Sequence, residues 1–162
     1  MGMTHTRAPA NFYRPGEYCA EDSVGFLMKR VLASIVQQAD GRLEAHDLTH
    51  AQWAPLFKLR QAKSMAVAEL AREMQMDAGA MTRLLDRMEK KGLCKRVRSI
   101  EDRRVVNLEL TPQGEAAAAL VPGVLTEVLN THLAGFSKTE WQALMHYLRR
   151  MVENGEAMRS QD

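Results

Sequence analysis

The chain has 162 residues, of which 46% are hydrophobic, and a formal net charge of +2 at pH 7; these values are typical of one globular domain. It contains no apolar run of about 18 residues, which a membrane-spanning helix requires, and its N-terminal sequence lacks the apolar segment of a secretory signal. The two cysteines, Cys19 and Cys94, do not form a disulfide framework. We therefore expect a cytoplasmic protein.

The N-terminal part of the chain is predicted to be an extension followed by a long helix. Residues 1–20 are rich in proline, glycine and aromatic side chains. We expect the aromatic side chains of Phe12, Tyr13 and Tyr18 to dock on the rest of the protein or on a partner subunit. Over residues 22–44, apolar side chains recur with the spacing of an amphipathic helix. This apolar face comprises Val24, Leu27, Met28, Val31, Leu32, Ile35 and Ala39.

The second helix is predicted to begin after Thr49, because Thr49 and Gln52 have the spacing of a capping box. Trp53 is expected on the buried face of this helix. Pro55 removes one helical hydrogen bond and is expected to kink it. A shorter third helix is predicted over residues 66–75.

A fourth helix is predicted to begin after Asp77, whose carboxylate is placed to cap the free N–H groups of the first turn. Gly92, which follows two lysines, is typical of a helix C-terminus. The third and fourth helices, joined by a tight break, have the layout of a helix-turn-helix. The apolar face of the fourth helix consists of Met81, Leu84, Leu85 and Met88.

Two strands are predicted next, over residues 94–99 and 105–110, joined by a charged turn at 100–104. Residues 81–104 carry nine Lys/Arg and four Asp/Glu, a net charge of +5, which leaves −3 for the remainder of the chain. This concentration of positive charge is typical of a surface that meets a phosphate backbone. A solvated basic face without a partner is the alternative.

The C-terminal part of the chain is predicted to be helical. Thr111–Pro112 is an N-cap followed by proline at the first helical position, and Pro122–Gly123 should bend or interrupt the helix that follows. Ser137–Glu140 is a second capping box, which opens a last helix. We therefore predict a mainly α fold with a small β-hairpin wing: a winged helix-turn-helix flanked by N- and C-terminal helices.

The apolar faces of the terminal helices are wider than a subunit of this size can bury, so we expect these helices to form a homodimer. The predicted organisation is an N-terminal extension at 1–21, a helical dimerisation region at 22–47 and 112–158, a winged helix-turn-helix at 48–111, and a tail at 159–162.

The segments ELAREMQMDAGAMTRLLDRMEKKGL and RVRSIEDRRVVNLELTPQG resemble the MarR family of bacterial transcription regulators. The most specific parts are the wing residues 102–104, Asp-Arg-Arg, and the LTPQG sequence at 110–114 that closes the wing. Ser99 departs from the pattern, because many members carry Asp at that position. The resemblance implies a dimer that binds double-stranded operator DNA.

The recognition helix is expected to enter the major groove with its N-terminal half. Small side chains at its start permit close approach, Thr and Arg side chains can reach base edges, and the later cations are expected at phosphates. The predicted contacts on this helix are Ala78, Ala80, Thr82, Arg83, Arg87 and Lys91.

The wing supplies the second group of predicted DNA contacts. The resemblance implies that an arginine of the wing enters the minor groove and that a nearby Asp holds it; the matching residues are Arg104, beside Arg103, and Asp102. Arg98, on the strand that leads into the wing, completes the predicted set.

Two symmetric recognition helices predict a pseudo-palindromic operator with half-sites one turn (~10 bp) apart. The resemblance further implies a small aromatic acid or phenol that releases the protein from DNA, and repression rather than activation. His50 and Trp53 are candidate residues for the wall of that ligand site. A transcriptional activator and a purely architectural DNA binder are the alternatives.

Other kinds of chemistry are not indicated. The chain has no glycine-rich phosphate loop and no hydrolase or metalloprotease motif, so we predict neither an enzyme nor a bound cofactor. His46 and His50 straddle a helix start and do not predict a metal site. A redox-responsive regulator using Cys19 or Cys94 is a further alternative, although either cysteine can equally be a small structural hydrophobe.

Overall fold

The computed structural model of the chain describes residues 8–100 and 102–159. A short 3-10 turn, Glu44–His46, precedes the second helix. Within the described ranges, no helix is long and apolar enough to cross a membrane. The fold is mainly helical with one small sheet, as predicted; its elements are α1 (Val24–Leu43), α2 (His50–Ala62), β1 (Ser64–Ala66), α3 (Val67–Glu73), α4 (Ala78–Lys90), β2 (Cys94–Arg98), β3 (Val106–Leu110), α5 (Pro112–His132) and α6 (Lys138–Arg159).

The chain divides into two compact units, which are described separately. The terminal unit comprises Met1–Val31 and Thr131–Asp162, and the central unit comprises Leu32–Asn130. The unit boundaries fall inside α1 and α5. Helix α1 buries only Ala39 and Leu43, near its C-terminus.

All three strands belong to the central unit and form an antiparallel sheet in the order β1-β3-β2. Strands β2 and β3 are the predicted hairpin. Strand β1 was not predicted; its Met65 lies opposite Leu108 of β3. A three-residue strand is too short to show the alternation from which strands are recognised in a sequence.

The core of the central unit surrounds α4. The predicted apolar face of this helix is buried, which confirms the helical spacing read from the sequence. Burial of each such side chain contributes roughly 1.5–3 kcal/mol, and the packing therefore holds the polar face of α4 toward solvent. The core includes Met81, Leu84, Leu85 and Met88 of α4, Leu56 and Leu59 of α2, Leu70 of α3 and Leu108 of β3.

The predicted caps define both ends of α4. The Asp77 carboxylate accepts a hydrogen bond from the Ala80 N–H at 2.8 Å. At the other end, the N–H of Gly92 donates to the carbonyl of Glu89 at 2.8 Å, and Gly92 adopts a φ of 70°. That left-handed conformation is accessible to glycine at little cost.

Helices α2 and α5 each run unbroken through a proline, Pro55 and Pro122 respectively. The interruption that was considered at Pro122–Gly123 does not occur. Helix α5 buries Ala118 and Val121 in the central core on the N-terminal side of this proline, and such packing outweighs the loss of one backbone hydrogen bond.

The terminal unit contains the ends of the chain. The Tyr13 hydroxyl accepts the N–H of Val24 at 3.0 Å, at the start of α1. The predicted capping box of α6 is confirmed, since the Glu140 carboxylate accepts the Ser137 N–H at 2.8 Å and the Ser137 hydroxyl accepts the Glu140 N–H at 3.2 Å. Helix α6 lies wholly within the described residues, and none of its side chains is buried.

Candidate nucleic-acid interface

The N-terminal half of α4 presents short and hydrogen-bonding side chains to solvent. Ala78, Thr82 and Arg83 are exposed and Ala80 is half-buried, while the apolar face of the helix packs inward. The backbone hydrogen bond from Ala80 lowers the pKa of the Asp77 carboxyl below its usual value, so the cap is a carboxylate at neutral pH. The helix start is therefore both fixed and accessible.

Two of the predicted base-reading side chains have defined positions. The Thr82 hydroxyl donates to the Ala78 carbonyl at 2.8 Å, which leaves its oxygen lone pairs available as acceptors. The Arg83 guanidinium folds back over Gly79, with Nη1 3.5 Å from the point that a Cβ at residue 79 would occupy. The guanidinium of Arg83 thus lies beside the first turn of the helix.

The turn of the wing is held by hydrogen bonds between residues that are close in sequence. The Asp102 carboxylate accepts the backbone N–H of Arg104 at 2.9 Å, and the Ser99 hydroxyl accepts the N–H of Asp102 at 3.3 Å. Glu101, at the tip, lies outside the described residues. Ser99, at the position where many members of the family carry Asp, thus braces the wing turn through its hydroxyl.

Five arginines on α4 and the wing are exposed. Among the described residues, none of the five makes an ion pair. Exposed cations without internal partners are suited to bind phosphate groups, because binding releases counterions from the nucleic acid. The five are Arg83, Arg87, Arg98, Arg103 and Arg104.

Lys91, the remaining predicted cation, is engaged elsewhere. Its Nζ donates to the carbonyl oxygen of Asp47 at 2.8 Å and lies 2.9 Å from the Asp47 carboxylate. It also lies 3.4 Å from Oε1 of Gln52. The structure therefore places Lys91 against the turn between α1 and α2 rather than with the exposed arginines.

Arg96 of β2 is a cation that the sequence did not single out. Its guanidinium contacts both Asp86 and Glu89 of α4. Burial acts to lower the pKa of Arg96, but the hydrogen bond and charge of Asp86 and the charge of Glu89 outweigh it and raise the pKa above its usual value. Asp86, Glu89 and Arg96 form no recognisable motif in the sequence, because α4 and β2 come into contact only in the folded chain.

A cleft of about 630 Å³ opens within the central unit. Its size falls within the range of small-molecule sites. Of the two predicted ligand residues, Trp53 does not line the cleft: it is buried, with Nε1 donating to the Asp40 carboxylate at 3.0 Å. The side chain of His50 lies outside the described part of the structure. The lining residues are His46, Asp47, Leu48, Lys91, Leu93, Gln113, Ala116, Ala117 and Leu120.

The two cysteines have different surroundings: Cys19 is exposed and Cys94 is buried. Burial, with a smaller contribution from the Glu89 charge, raises the pKa of the Cys94 thiol to about 11. A thiol in this state is a poor nucleophile near neutral pH. Over the described residues, no group of three His, Cys, Asp or Glu side chains is arranged to hold a metal ion.

Comparison with known proteins gives a consistent set of matches. The MarR family profile matches residues 48–106. The transcriptional repressor MdtR of Bacillus subtilis is 28% identical over 120 residues, which cover 74% of this chain and 77% of MdtR. The transcriptional regulator SarZ of Staphylococcus haemolyticus is 25% identical over 129 residues, which cover 80% of this chain and 86% of SarZ.

A solved structure extends the similarity to the whole fold. A mutant of MarR from E. coli, complexed with operator DNA, superposes with a TM-score of 0.72 at 26% identity and covers 79% of this chain and 92% of its own. The profile match spans the helix-turn-helix, β2 and the start of β3, and the structural match covers a larger part of the chain. Residues 48–106 therefore match the MarR family, and the chain is similar in sequence and fold to DNA-binding, winged helix-turn-helix transcription regulators of that family.

Proposed function

We propose that the chain is a dimeric repressor that binds a pseudo-palindromic operator and is released by a small aromatic acid or phenol. The observation that carries the proposal is the set of five exposed arginines on α4 and the wing that form no ion pair with any other residue in the described ranges. MdtR, which resembles this chain, is a transcriptional repressor, and this supports repression over activation.

The proposed contacts divide between the two DNA-facing elements. On α4, Ala78 and Ala80 allow the helix to approach the major groove, while Thr82 and Arg83 read base edges. Arg87, farther along the helix, meets a phosphate. On the wing, Arg98 and Arg103 meet the backbone and Arg104 enters the minor groove, with Asp102 fixing the turn that carries it.

Dimerisation is supported by apolar side chains that remain exposed in the subunit. On α1, Leu27 and Val31 are each 52% exposed, and on α6, Met151 and Val152 are 43% and 59% exposed. Apolar side chains clustered on one face of a helix mark an interaction surface. A second copy of the chain is the proposed partner for these faces, since it would place two recognition helices on one operator.

Sedimentation velocity tests the proposed dimerisation. We expect a dimer at micromolar concentration, and we expect Leu27→Glu to shift the chain toward monomer. Ile100→Glu is the matched control, because Ile100 is 98% exposed and lies in the wing turn. A wild-type chain that sediments as a monomer at all accessible concentrations contradicts the dimer.

The cleft in the central unit is the proposed effector site. Lys91 supplies a cation for a carboxylate or phenolate, and Leu93 and Leu120 supply apolar contact for an aromatic ring. Lys91 directly follows α4 and is held by Asp47, so an anion that competes for Lys91 acts on the end of the recognition helix. A ligand that prefers the arrangement unable to bind DNA releases the operator by population shift.

The experiment that tests the proposed function combines operator selection with release. DNA is first selected by the chain from a random-sequence duplex library, and the recovered duplex is then titrated with salicylate and related aromatic acids. We expect a two-fold related sequence motif and loss of binding as the compound is added. Recovery of no sequence motif contradicts the proposed operator.

A further inference from the structure

The recognition helix and the first strand of the wing are joined by a single arginine. Three groups on one face of α4, at residues 82, 86 and 89, face Arg96 in the middle of β2. The Arg96 guanidinium lies 2.8 Å from the Asp86 carboxylate, contacts the Glu89 carboxylate, and donates to the Thr82 carbonyl at 3.4 Å. The backbone N–H of Arg96 also donates to Glu89, at 2.9 Å.

This arrangement differs from the exposed ion pairs elsewhere on the chain. The side chains of Arg96 and Glu89 are only 29% and 30% exposed, so their attraction is less screened than that of a surface pair. One guanidinium nitrogen of Arg96, Nη1, contacts both carboxylates, while Nη2 donates to the Thr82 carbonyl. A lysine has only one side-chain nitrogen and cannot make all of these contacts with the same geometry. Both carboxylate oxygens of Glu89 accept a hydrogen bond from Arg96, one from its guanidinium and the other from its backbone N–H.

We propose that Arg96, together with Asp86 and Glu89, is a positioning clamp that fixes the wing relative to the recognition helix for DNA binding. Arg98 lies two residues farther along β2, where the strand enters the wing. The clamp therefore sets the direction in which Arg98, Arg103 and Arg104 project while α4 occupies the major groove. The proposal rests on the proposed DNA contacts and adds to them a residue that touches no DNA.

The charges of the clamp distinguish this role from that of a phosphate ligand. Asp86 and Glu89 together outweigh the single charge of Arg96, so the cluster carries a net negative charge. Simple electrostatics predicts that removing a carboxylate near the DNA strengthens binding, because like-charge repulsion with phosphate falls. The clamp predicts the opposite, because the wing loses its fixed direction.

The test measures the affinity of the dimeric full-length chain for a labelled duplex that the wild type selects from a random-sequence library, over a series of salt concentrations. The variants are Glu89→Gln, Arg96→Gln, Arg96→Lys and the double variant Glu89→Gln/Arg96→Gln. Lys95→Gln is the matched control: it removes one charge from the neighbouring residue of β2, where Lys95 pairs with Glu109 across the sheet at 3.1 Å. Melting curves establish that each variant is folded at the assay temperature.

We expect Glu89→Gln and Arg96→Gln each to weaken binding by about tenfold, with an unchanged slope of log affinity against log salt concentration. Arg96→Lys should recover part of the loss. The double variant should bind DNA no more weakly than either single variant, because the two substitutions break the same contact. Lys95→Gln should stay within about twofold of the wild type. Arg98→Gln, by comparison, removes one phosphate contact from each subunit of the dimer and should reduce the magnitude of the salt slope by roughly 1.8.

Three results overturn the clamp. Glu89→Gln could bind DNA as well as or better than the wild type; Arg96→Gln could reduce the salt slope, which would make Arg96 a phosphate ligand; or the folded variants could melt earlier with unchanged affinity, which would confine Arg96 to stability. A wild-type chain that selects no duplex contradicts the proposed function itself, and the clamp with it.

Discussion

The carbonyl oxygen of Leu93 lies only 1.8 Å from the point that a Cβ on Gly114 would occupy. This close approach joins the residue before β2 to the first turn of α5. The Thr111 hydroxyl donates to the Gly92 carbonyl beside it and accepts the Gly114 N–H at 3.0 Å. The base of the wing is therefore closed by backbone contact, and residue 114 has no room for a side chain.

Substitution of Gly114 by Ala should destabilise the chain. The added methyl group meets a backbone carbonyl that cannot rotate away, and such overpacking costs about 1–3 kcal/mol or more. Urea denaturation of the variant measures this cost. Gly123→Ala is the control in the same helix, because nothing lies within 4 Å of its Cβ position, and alanine is the better helix former. Equal stability of the two variants would contradict the closure described here.

Substitution of Arg104 by Ala should weaken DNA binding by about tenfold or more while leaving the chain folded. Arg104 is exposed, and its backbone N–H, which is unaffected by the change, still donates to Asp102. Fluorescence anisotropy with the selected duplex measures the loss. Arg149→Ala, which removes an exposed charge from α6, should bind as the wild type does. An unchanged affinity for the Arg104 variant rules out the wing contact.

Cys94 should resist alkylation in the folded chain at pH 8. Its pKa is raised to about 11, chiefly by burial, so the thiolate needed for reaction is scarce, whereas Cys19 is exposed. Mass spectrometry after treatment with iodoacetamide should find modification at Cys19 alone. Rapid modification of Cys94 without unfolding would instead support a redox-responsive regulator.

The same thiol gives a pH dependence of stability. Its ordinary pKa is 9.0 and its pKa in the folded chain is about 11, so the unfolded state loses its proton first as the pH rises. The contribution of Cys94 to stability is therefore present below about pH 9 and falls between pH 9 and about 11. In the Cys94→Ala variant, the free energy of unfolding should no longer contain this pH-dependent contribution. Urea denaturation at several pH values measures the difference from the wild type.

Substitution of Lys91 by Gln separates effector binding from DNA binding. Lys91 is held by Asp47 and lines the cleft, so the variant should bind DNA with nearly wild-type affinity and salt slope. Release by salicylate should require about tenfold more compound, since a charge-assisted contact is lost. Release by salicylamide, which lacks the carboxylate, should change little. Weaker DNA binding with a reduced salt slope would restore Lys91 to the set of phosphate contacts.

The recognition helix could be predicted from the sequence because its signals are local. Asp77, Gly92 and the spacing of the buried face all lie within α4 or next to it, and each has the structural role expected of it. The same holds for the capping box at Ser137 and Glu140. Caps and periodicity act over a few residues, so one segment of sequence contains the whole signal.

The features that were missed depend on contacts between distant segments. Strand β1 exists because β3 pairs with it, and Pro122 stays within α5 because that helix packs against the central core. The ion pair of Lys91 with Asp47, far away in sequence, was not predicted. Arg96 could not be told from its neighbouring cations until the fold brought it onto α4. A count of charges in the sequence locates a basic surface. The folded structure shows which of the cations on that surface pair with carboxylates.

The most direct test of the central claim is the affinity of the wild-type chain for its selected duplex, measured over a salt series with and without salicylate. A repressor that uses the five exposed arginines of each subunit should bind tightly, lose affinity steeply as salt rises, and release the duplex when the effector is added. Weak binding with no dependence on salt would contradict a DNA interface on α4 and the wing, and tight binding that no aromatic acid or phenol reverses would contradict release through the cleft.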